Sequence, residues 1–322
     1  MGTTLYGNVN SITGYTEAFY KAYKAGYEHI LQEMKDVYAG KTKVDVIEGE
    51  NQAYDFVGSV ELTEKANRFE DLPVTDMAHN RRWISPVWYR QAIYVDSEDD
   101  IALKLDPTSA YIQALAKGVI RKKNDVIYNS FKANVTGGKN VADSVTYSFH
   151  NAAFSPASGG GRTIVHDTTN SFAAGGTSTG LTIEKLILAR EALVTLKNDP
   201  NEIFMLVCGP KQISDLFREA QIQSLDTSPI RALAEGKLMS YHGFEFIVDY
   251  NVTLGTDNAV DGTTDVYECY AYSKEGILFA QHESPIFNVD WDTRKQVYQL
   301  SARCGMNAIR MDEDKVIKIE CV

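Results

Sequence analysis

Asp106-Pro107-Thr108-Ser109 opens the run DPTSAYIQALAKGVIRKKNDVIYNSFK, residues 106–132, and this run decides how the rest of the chain is read. Proline suits the first turn of a helix, where its missing N–H costs nothing, and Asp or Ser beside it can cap free amides. Behind that start, Ile112, Leu115, Val119, Val126, Ile127 and Phe131 keep helical spacing around a charged stretch, Arg121-Lys122-Lys123-Asn124-Asp125. The spacing predicts a helix from about Ser109 to Lys132, the longest in the chain. At 1.5 Å per residue it would span roughly 36 Å, a whole small domain.

Upstream of it, Phe19, Tyr20, Tyr23, Tyr27, Ile30, Leu31, Met34, Val37 and Tyr38 predict an amphipathic helix over about Thr16–Tyr38, ended by Gly40. Lys41–Asp76 then reads as extended and polar, a long hairpin that could not bury enough surface to stand alone. Two strand-like bursts follow, Arg81-Arg82-Trp83-Ile84-Ser85-Pro86-Val87-Trp88-Tyr89 and Ala92–Asp96. Downstream, Thr136–Gly180 is rich in Gly, Ser, Thr and Ala and predicts loops with a short hairpin. A compact α/β pattern begins at Thr182: a helix over Ile183–Leu196, a strand over Ile203–Cys208, a helix from Gln212 to Ala220, a short helix near Ile230–Glu235 and a strand over Phe244–Val248. The remainder reads as strands over Val266–Tyr272, Ile277–Ala280, Val297–Arg310 and Val316–Cys321.

Composition bounds the possibilities. The 322 residues, 44% hydrophobic and 23% charged, are those of an ordinary globular chain rather than a coiled coil or disordered polymer. A net charge of -11 argues against wholesale binding of phosphate backbones. The four cysteines, Cys208, Cys269, Cys304 and Cys321, form no C-x-x-C pair and sit mostly in apolar strand-like runs, as expected of buried thiols in a reducing compartment. No secretory leader is readable at the N-terminus, and no apolar run approaches the roughly 20 residues that span a bilayer. Eighteen tyrosines are an excess that suits protein interfaces, where one side chain serves a wet and a dry surface.

Chemical motifs are weak. Gly176-Thr177-Ser178-Thr179-Gly180 matches G-x-S-x-G, but no apolar strand precedes it to strain Ser178 into a nucleophile. The histidines show no metal-ligand spacing, and Asp96-Ser97-Glu98-Asp99-Asp100 lacks the spacing of a calcium loop. Gly40-Lys41-Thr42 and Gly137-Gly138-Lys139 are not phosphate loops. A serine hydrolase using Ser178 is therefore a minor alternative, and ion pairing is the stronger reading of Arg81-Arg82 and Arg121-Lys122-Lys123.

Taken in order, these parts resemble tailed-phage major capsid proteins of the Hong Kong 97-type fold. The resemblance is carried by the N-terminal helix, the extended segment, Arg81–Pro86 with Tyr89, Asp96 and Asp99-Asp100, the Asp106-Pro107 turn and the long helix with Arg121 and Asp125. In the second half it is carried by Cys208-Gly209-Pro210-Lys211-Gln212, Ala232-Leu233-Ala234-Glu235-Gly236 and His242-Gly243-Phe244-Glu245-Phe246. It implies an α+β chain with an N-terminal arm over 1–40 and an extended loop over 41–101. A peripheral domain would take 102–181 and 251–322, with a spine helix, a loop-rich insertion and C-terminal strands, and an axial domain would take 182–250.

The implied role is structural: hexamers and pentamers of an icosahedral phage head enclosing double-stranded DNA, with no catalysis, cofactor or metal. Scaffolding, portal and decoration proteins would be partners, and the location would be the virion capsid after synthesis in host cytoplasm. The residues placed at subunit contacts on this reading are Tyr23, Tyr27, Arg68, Arg81, Arg82, Trp83, Asp96, Arg121 and Asp125. An encapsulin-type compartment shell is the alternative that keeps the fold.

Overall fold

The computed structural model describes residues 35–96 apart from isolated positions between 59 and 78, then 108–139, 145–156, 161–165, 179–218 apart from 197, 240–252 and 266–322. The described chain divides into two units. One takes residues 88–121 and 284–304, and the larger takes 35–87, 122–283 and 305–322.

The larger unit is built on a six-stranded sheet. Its strands, numbered along the chain, are β7 (Thr163–Ile164), β8 (Phe204–Cys208), β9 (Ser240–Tyr241), β10 (Phe244–Val248), β11 (Tyr267–Tyr272) and β14 (Val316–Cys321), in the order β7-β14-β11-β8-β10-β9. All five residues of β8 are buried, the pattern of a central strand covered on both faces. Parallel β10 lies on one side of it and antiparallel β11 on the other, with Tyr270 opposite Val207. His242 and Gly243, at φ 52° and 79°, make the tight β9–β10 turn, a left-handed geometry favoured in two-residue hairpin loops.

Side chains alternate across β11. Tyr270 and Tyr272 join Tyr128, Phe131 and Phe149 in an aromatic core, with Phe131 stacked on Tyr270 at 5.0 Å. Helix α2 (Ile183–Thr195) buries Leu186, Ala189, Ala192 and Leu193. Thr182 caps it, its hydroxyl accepting from the Lys185 amide at 3.3 Å. Lys185 is fully buried and donates from Nζ to the carbonyls of Thr179, Gly180 and Glu320. Helix α3 (Pro210–Arg218) starts on proline, two residues before the Gln212 expected from the sequence, because proline suits the first helical turn.

A four-stranded sheet completes the unit: β2 (Gln52–Val57), β3 (His79–Ile84), β5 (Val135–Gly137) and β6 (Val145–Tyr147), in that order and antiparallel throughout. Beside it, β1 (Lys43–Val46) runs parallel to the start of β12 (Ile277–Asp292). Ile47, Ile84, Val135, Leu278, Ala280, Ile309 and Met311 form the core they share. The smaller unit holds most of β4 (Val87–Asp96), the first half of helix α1 (Thr108–Ser130), and the distal halves of β12 and β13 (Val297–Arg310). Val95, Leu115, Leu300 and Ala302 are its core, with Ile93, Tyr111, Ile112 and Val119 packed around them.

Several expectations change. The long helix is present, at Thr108–Ser130, and so is the short hairpin expected after residue 136. Lys41–Asp76 is not one hairpin: β1 joins a C-terminal strand while β2 pairs with β3, because Ile47 and the β1 backbone find an apolar partner in Leu278 and Ala280. Strand β11 pairs with β8, and β14 with β11, so these C-terminal strands share one sheet with β8, whereas the resemblance assigns them to a peripheral sheet. The short strand expected over 277–280 continues to Asp292. Polar residues and Pro285 hid its second half, where proline is tolerated on a sheet edge. Of the N-terminal helix, residues 16–34 lie outside the described residues, and Tyr38 sits in a turn rather than on a helical seam.

Candidate assembly surfaces

Strand β3 sorts the predicted contact residues by parity. Ile84 and Arg82 point inward and are nine-tenths or more buried, while Arg81 and Trp83 take the other face. Arg81 lies directly opposite Asp55 and grips both its carboxylate oxygens, at 2.5 and 2.8 Å. That hydrogen bond draws the Asp55 carboxyl below its ordinary pKa. The Arg81 guanidinium also stands 5.5 Å over the Trp83 ring, whose Nε1 donates to the Gly138 carbonyl at 2.9 Å. Around them a groove of about 380 Å³ is lined by Asp55, His79, Asn80, Arg81, Gly138, Lys139 and Tyr147. Only glycine fits at position 137: a Cβ there would lie 2.3 Å from the Tyr147 ring and 2.4 Å from the Arg81 carbonyl.

Arg82 forms the ion pair that the sequence suggests, and forms it within its own chain. It lies against the rings of Phe56 and Tyr147, donates to the Arg310 carbonyl at 2.6 Å and pairs with Glu313. Glu313 also receives Nε of Arg310, a fully buried guanidinium whose Nη1 bonds the carbonyls of Phe131 and Ala133. Burial penalises the Glu313 carboxylate, yet the two arginines outweigh it and hold its pKa below the usual range. The next residue, Asp314, pairs with buried Arg162. The turn Asp312–Lys315, which reads as merely polar, is thus an ionic anchor for β3, for the end of α1 and for the 161–165 segment. Sequence reasoning missed it because nothing local marks which charges are buried; the only signal was three acids beside Arg310.

A second anchor fastens residues 35–41. Tyr38 is buried and donates to Asp249 at 2.5 Å; Lys123 pairs with Asp36 at 2.5 Å and Lys41 with Glu245 at 2.9 Å. Burial raises the Asp249 pKa despite the Tyr38 donation. Tyrosine is therefore partly a core residue here: Tyr38, Tyr128, Tyr270 and Tyr272 are buried.

Among the described residues, large apolar side chains are exposed in several places, and two groups stand out. In the loop after β2, Leu62, Leu72 and Val74 are 97%, 86% and 93% exposed, and Arg68 is exposed in the same loop. In the smaller unit, Phe287, Val289 and Trp291 alternate along β12 and stay exposed, with Trp291 meeting Tyr298 edge to face at 4.8 Å. Asp96 is exposed at the end of β4, Arg121 is half-buried, and Asp125 lies 3.9 Å from Lys122. Tyr23, Tyr27 and Ser178 lie outside the described residues. Among the described residues no group of three metal-ligating side chains occurs, and no helix is long and apolar enough to cross a membrane.

A family model described as phage capsid protein matches residues 15–322. No curated protein sequence matches the chain. The structure is similar to the capsid of cyanophage P-SCSP1u, at 15% identity over 98% of this chain and 97% of that one, with a TM-score of 0.67. It is also similar to the capsid of cyanophage Pam1, at 10% identity over 97% and 98% with a TM-score of 0.70. The capsid of Helicobacter pylori bacteriophage KHP30 gives 9% identity over 98% of each chain and a TM-score of 0.68.

Proposed function

The chain belongs to the phage capsid protein family, and from that premise we propose that its copies assemble into the hexamers and pentamers of an icosahedral head enclosing double-stranded DNA. Its role is structural and its place is the virion capsid. On this reading it performs no catalysis and is made in the host cytoplasm. Scaffolding, portal and decoration proteins are its partners, and DNA is enclosed without sequence-specific contacts. Neither an encapsulin-type compartment nor a hydrolase using Ser178 is favoured.

The observation that carries the reading beyond the family is the loop between β2 and β3. Leu62, Leu72 and Val74 are almost wholly exposed, a cost that makes sense where another copy covers them. We assign Arg81, Trp83 and the groove around them to subunit contacts as well, with Arg68, Asp96, Arg121, Asp125, Tyr23 and Tyr27 as further contacts. Arg82 acts as an anchor within its own subunit. The chain divides into an N-terminal arm over 1–40, an extended loop over 41–101, a peripheral domain over 102–181 and 251–322 and an axial domain over 182–250, and strands β11 and β14 of the peripheral segment extend the axial sheet.

Sedimentation and electron microscopy of the purified protein test this. Capsomers or shells are expected rather than a 35.8 kDa monomer. Deleting Val60–Asp76, which spares the buried Ile47 and strands β1 to β3, should leave the melting transition in place and abolish shells. A monodisperse monomer at high concentration, or shells formed equally well without the loop, refutes the proposal.

A further inference from the structure

The groove beside β3 is a cationic place on an acidic protein. Arg81 and Lys139 set two permanent cations against one carboxylate, Asp55, while the whole chain carries -11. His79 adds to the positive field that draws the Asp55 carboxyl down. Neither cation is saturated. Arg81 commits Nε and Nη2 to Asp55, in an ion pair whose side chains are 38% and 58% exposed. Its Nη1 has only the Lys139 carbonyl, at 3.5 Å, the outer limit of a hydrogen bond. The Lys139 side chain is exposed, and its ammonium has no partner among the described residues. The Trp83 ring backs the Arg81 guanidinium and holds the fork in place.

Such a place fits carboxylates, since the guanidinium already holds one in a forked geometry. A nucleic-acid backbone calls for cations strung along a track, whereas these converge on one spot. The densest acidic run in the chain is Asp96-Ser97-Glu98-Asp99-Asp100, four acids in five residues with no base among them. It begins on the last residue of β4, an edge strand of its sheet, where Asp96 is exposed. Elsewhere Asp36, Glu268, Glu313 and Asp314 are paired within the subunit.

We infer that the groove at Arg81 and Lys139 seats the acidic run 96–100 of a second copy, so that carboxylates of one subunit complete the cation pair of the next. The second copy rests on the capsid reading; the charge of the groove does not. The incoming carboxylates sit beside Asp55 rather than replacing it, and take Nη1 of Arg81 and the Lys139 ammonium. Charge pairing of this kind fixes register and speeds encounter between copies, and it weakens with salt.

The test is carbodiimide treatment of full-length protein assembled from equal parts of heavy-isotope-labelled and unlabelled copies. The reagent joins a lysine amine to a carboxylate it touches, with loss of one water. The expected product is the Lys139 peptide joined to the peptide carrying residues 96–100, with heavy and light partners mixed. Lys139→Glu should raise the protein concentration at which assemblies appear by about tenfold and leave the melting transition unchanged. Adding Glu98→Lys and Asp99→Lys to the same chain should restore most of the loss. Links from Lys139 to other carboxylates only, linked pairs that are never isotopically mixed, or full assembly of Lys139→Glu overturn the proposal. Salt-sensitive capture of duplex DNA that disappears in Lys139→Glu, without the cross-link, would overturn it in favour of a phosphate backbone. Wild-type protein that sediments only as a monomer removes the capsid reading and this contact together, whereas shells without the cross-link remove the contact alone.

Discussion

Replacing Glu313 by Gln should be among the most damaging single changes in the larger unit. Its carboxylate is shared by Arg82 and Arg310, with side-chain exposures of 8% and 0%. The variant leaves two buried guanidiniums without a counter-charge, and breaking a buried pair in this way costs roughly 3–5 kcal/mol. For a chain of this size that lowers the melting temperature by about 4–7 °C. The pH dependence carries the sign. The pKa of Glu313 is lowered in the folded state, so its stabilisation is fully present above the ordinary glutamate pKa and is lost as pH falls through the lower folded value. The gap between wild type and Glu313→Gln should therefore be constant from neutral pH to about pH 5 and close below pH 4. Thermal melts in matched ionic strength across that range provide the assay. A gap below about 1 kcal/mol at neutral pH, the scale of a surface pair, would refute the anchor. A gap that does not close in acid would show that shape rather than charge is lost.

Two further outcomes follow from the same geometry. Gly243→Ala should lower stability by roughly 1–3 kcal/mol in a denaturant melt: φ is +79° there, and the new Cβ would fall 1.6 Å from Arg190 Nη1, displacing that arginine from the His242 and Pro200 carbonyls. Tyr38→Phe should cost about 1.5–3 kcal/mol at neutral pH, since it strips the buried Asp249 carboxylate of a donor. Asp249 already has a raised pKa, so this loss should shrink as acid neutralises it, and a loss that grows in acid would contradict the assignment.

What the sequence made legible was what short-range patterning controls. The helical spacing of Ile112 to Phe131, the Thr182 cap, the all-apolar β8 and the β13 and β14 boundaries each depend on residues within a turn or a strand of one another. Pairing across the chain was less visible. Lys43–Val46 alternates like half of a hairpin, and only Leu278 and Ala280, more than two hundred residues later, explain where it goes. Burial of charge was least visible, because Arg82 and Arg81 are adjacent and identical in type. The tyrosine excess divides for the same reason: composition counts phenols but cannot tell the Tyr38 plug from the exposed Tyr94 and Tyr298.

On the proposed reading, that adjacency is a physical solution to what a shell subunit must do with one strand. Successive β residues face opposite ways, so β3 can be bolted to its own fold through Arg82 and Ile84 while displaying Arg81 and Trp83 on the other side. The inner face uses a guanidinium because its fork reaches both a carbonyl and a carboxylate at once. The outer face uses an ion pair in water, which contributes little to folding and can be re-paired with another chain at small cost. Changes at residue 82 should therefore register in unfolding, and changes at residue 81 in association. That separation of effects, one residue apart, is expected only if the strand both belongs to its own subunit and is offered to the next.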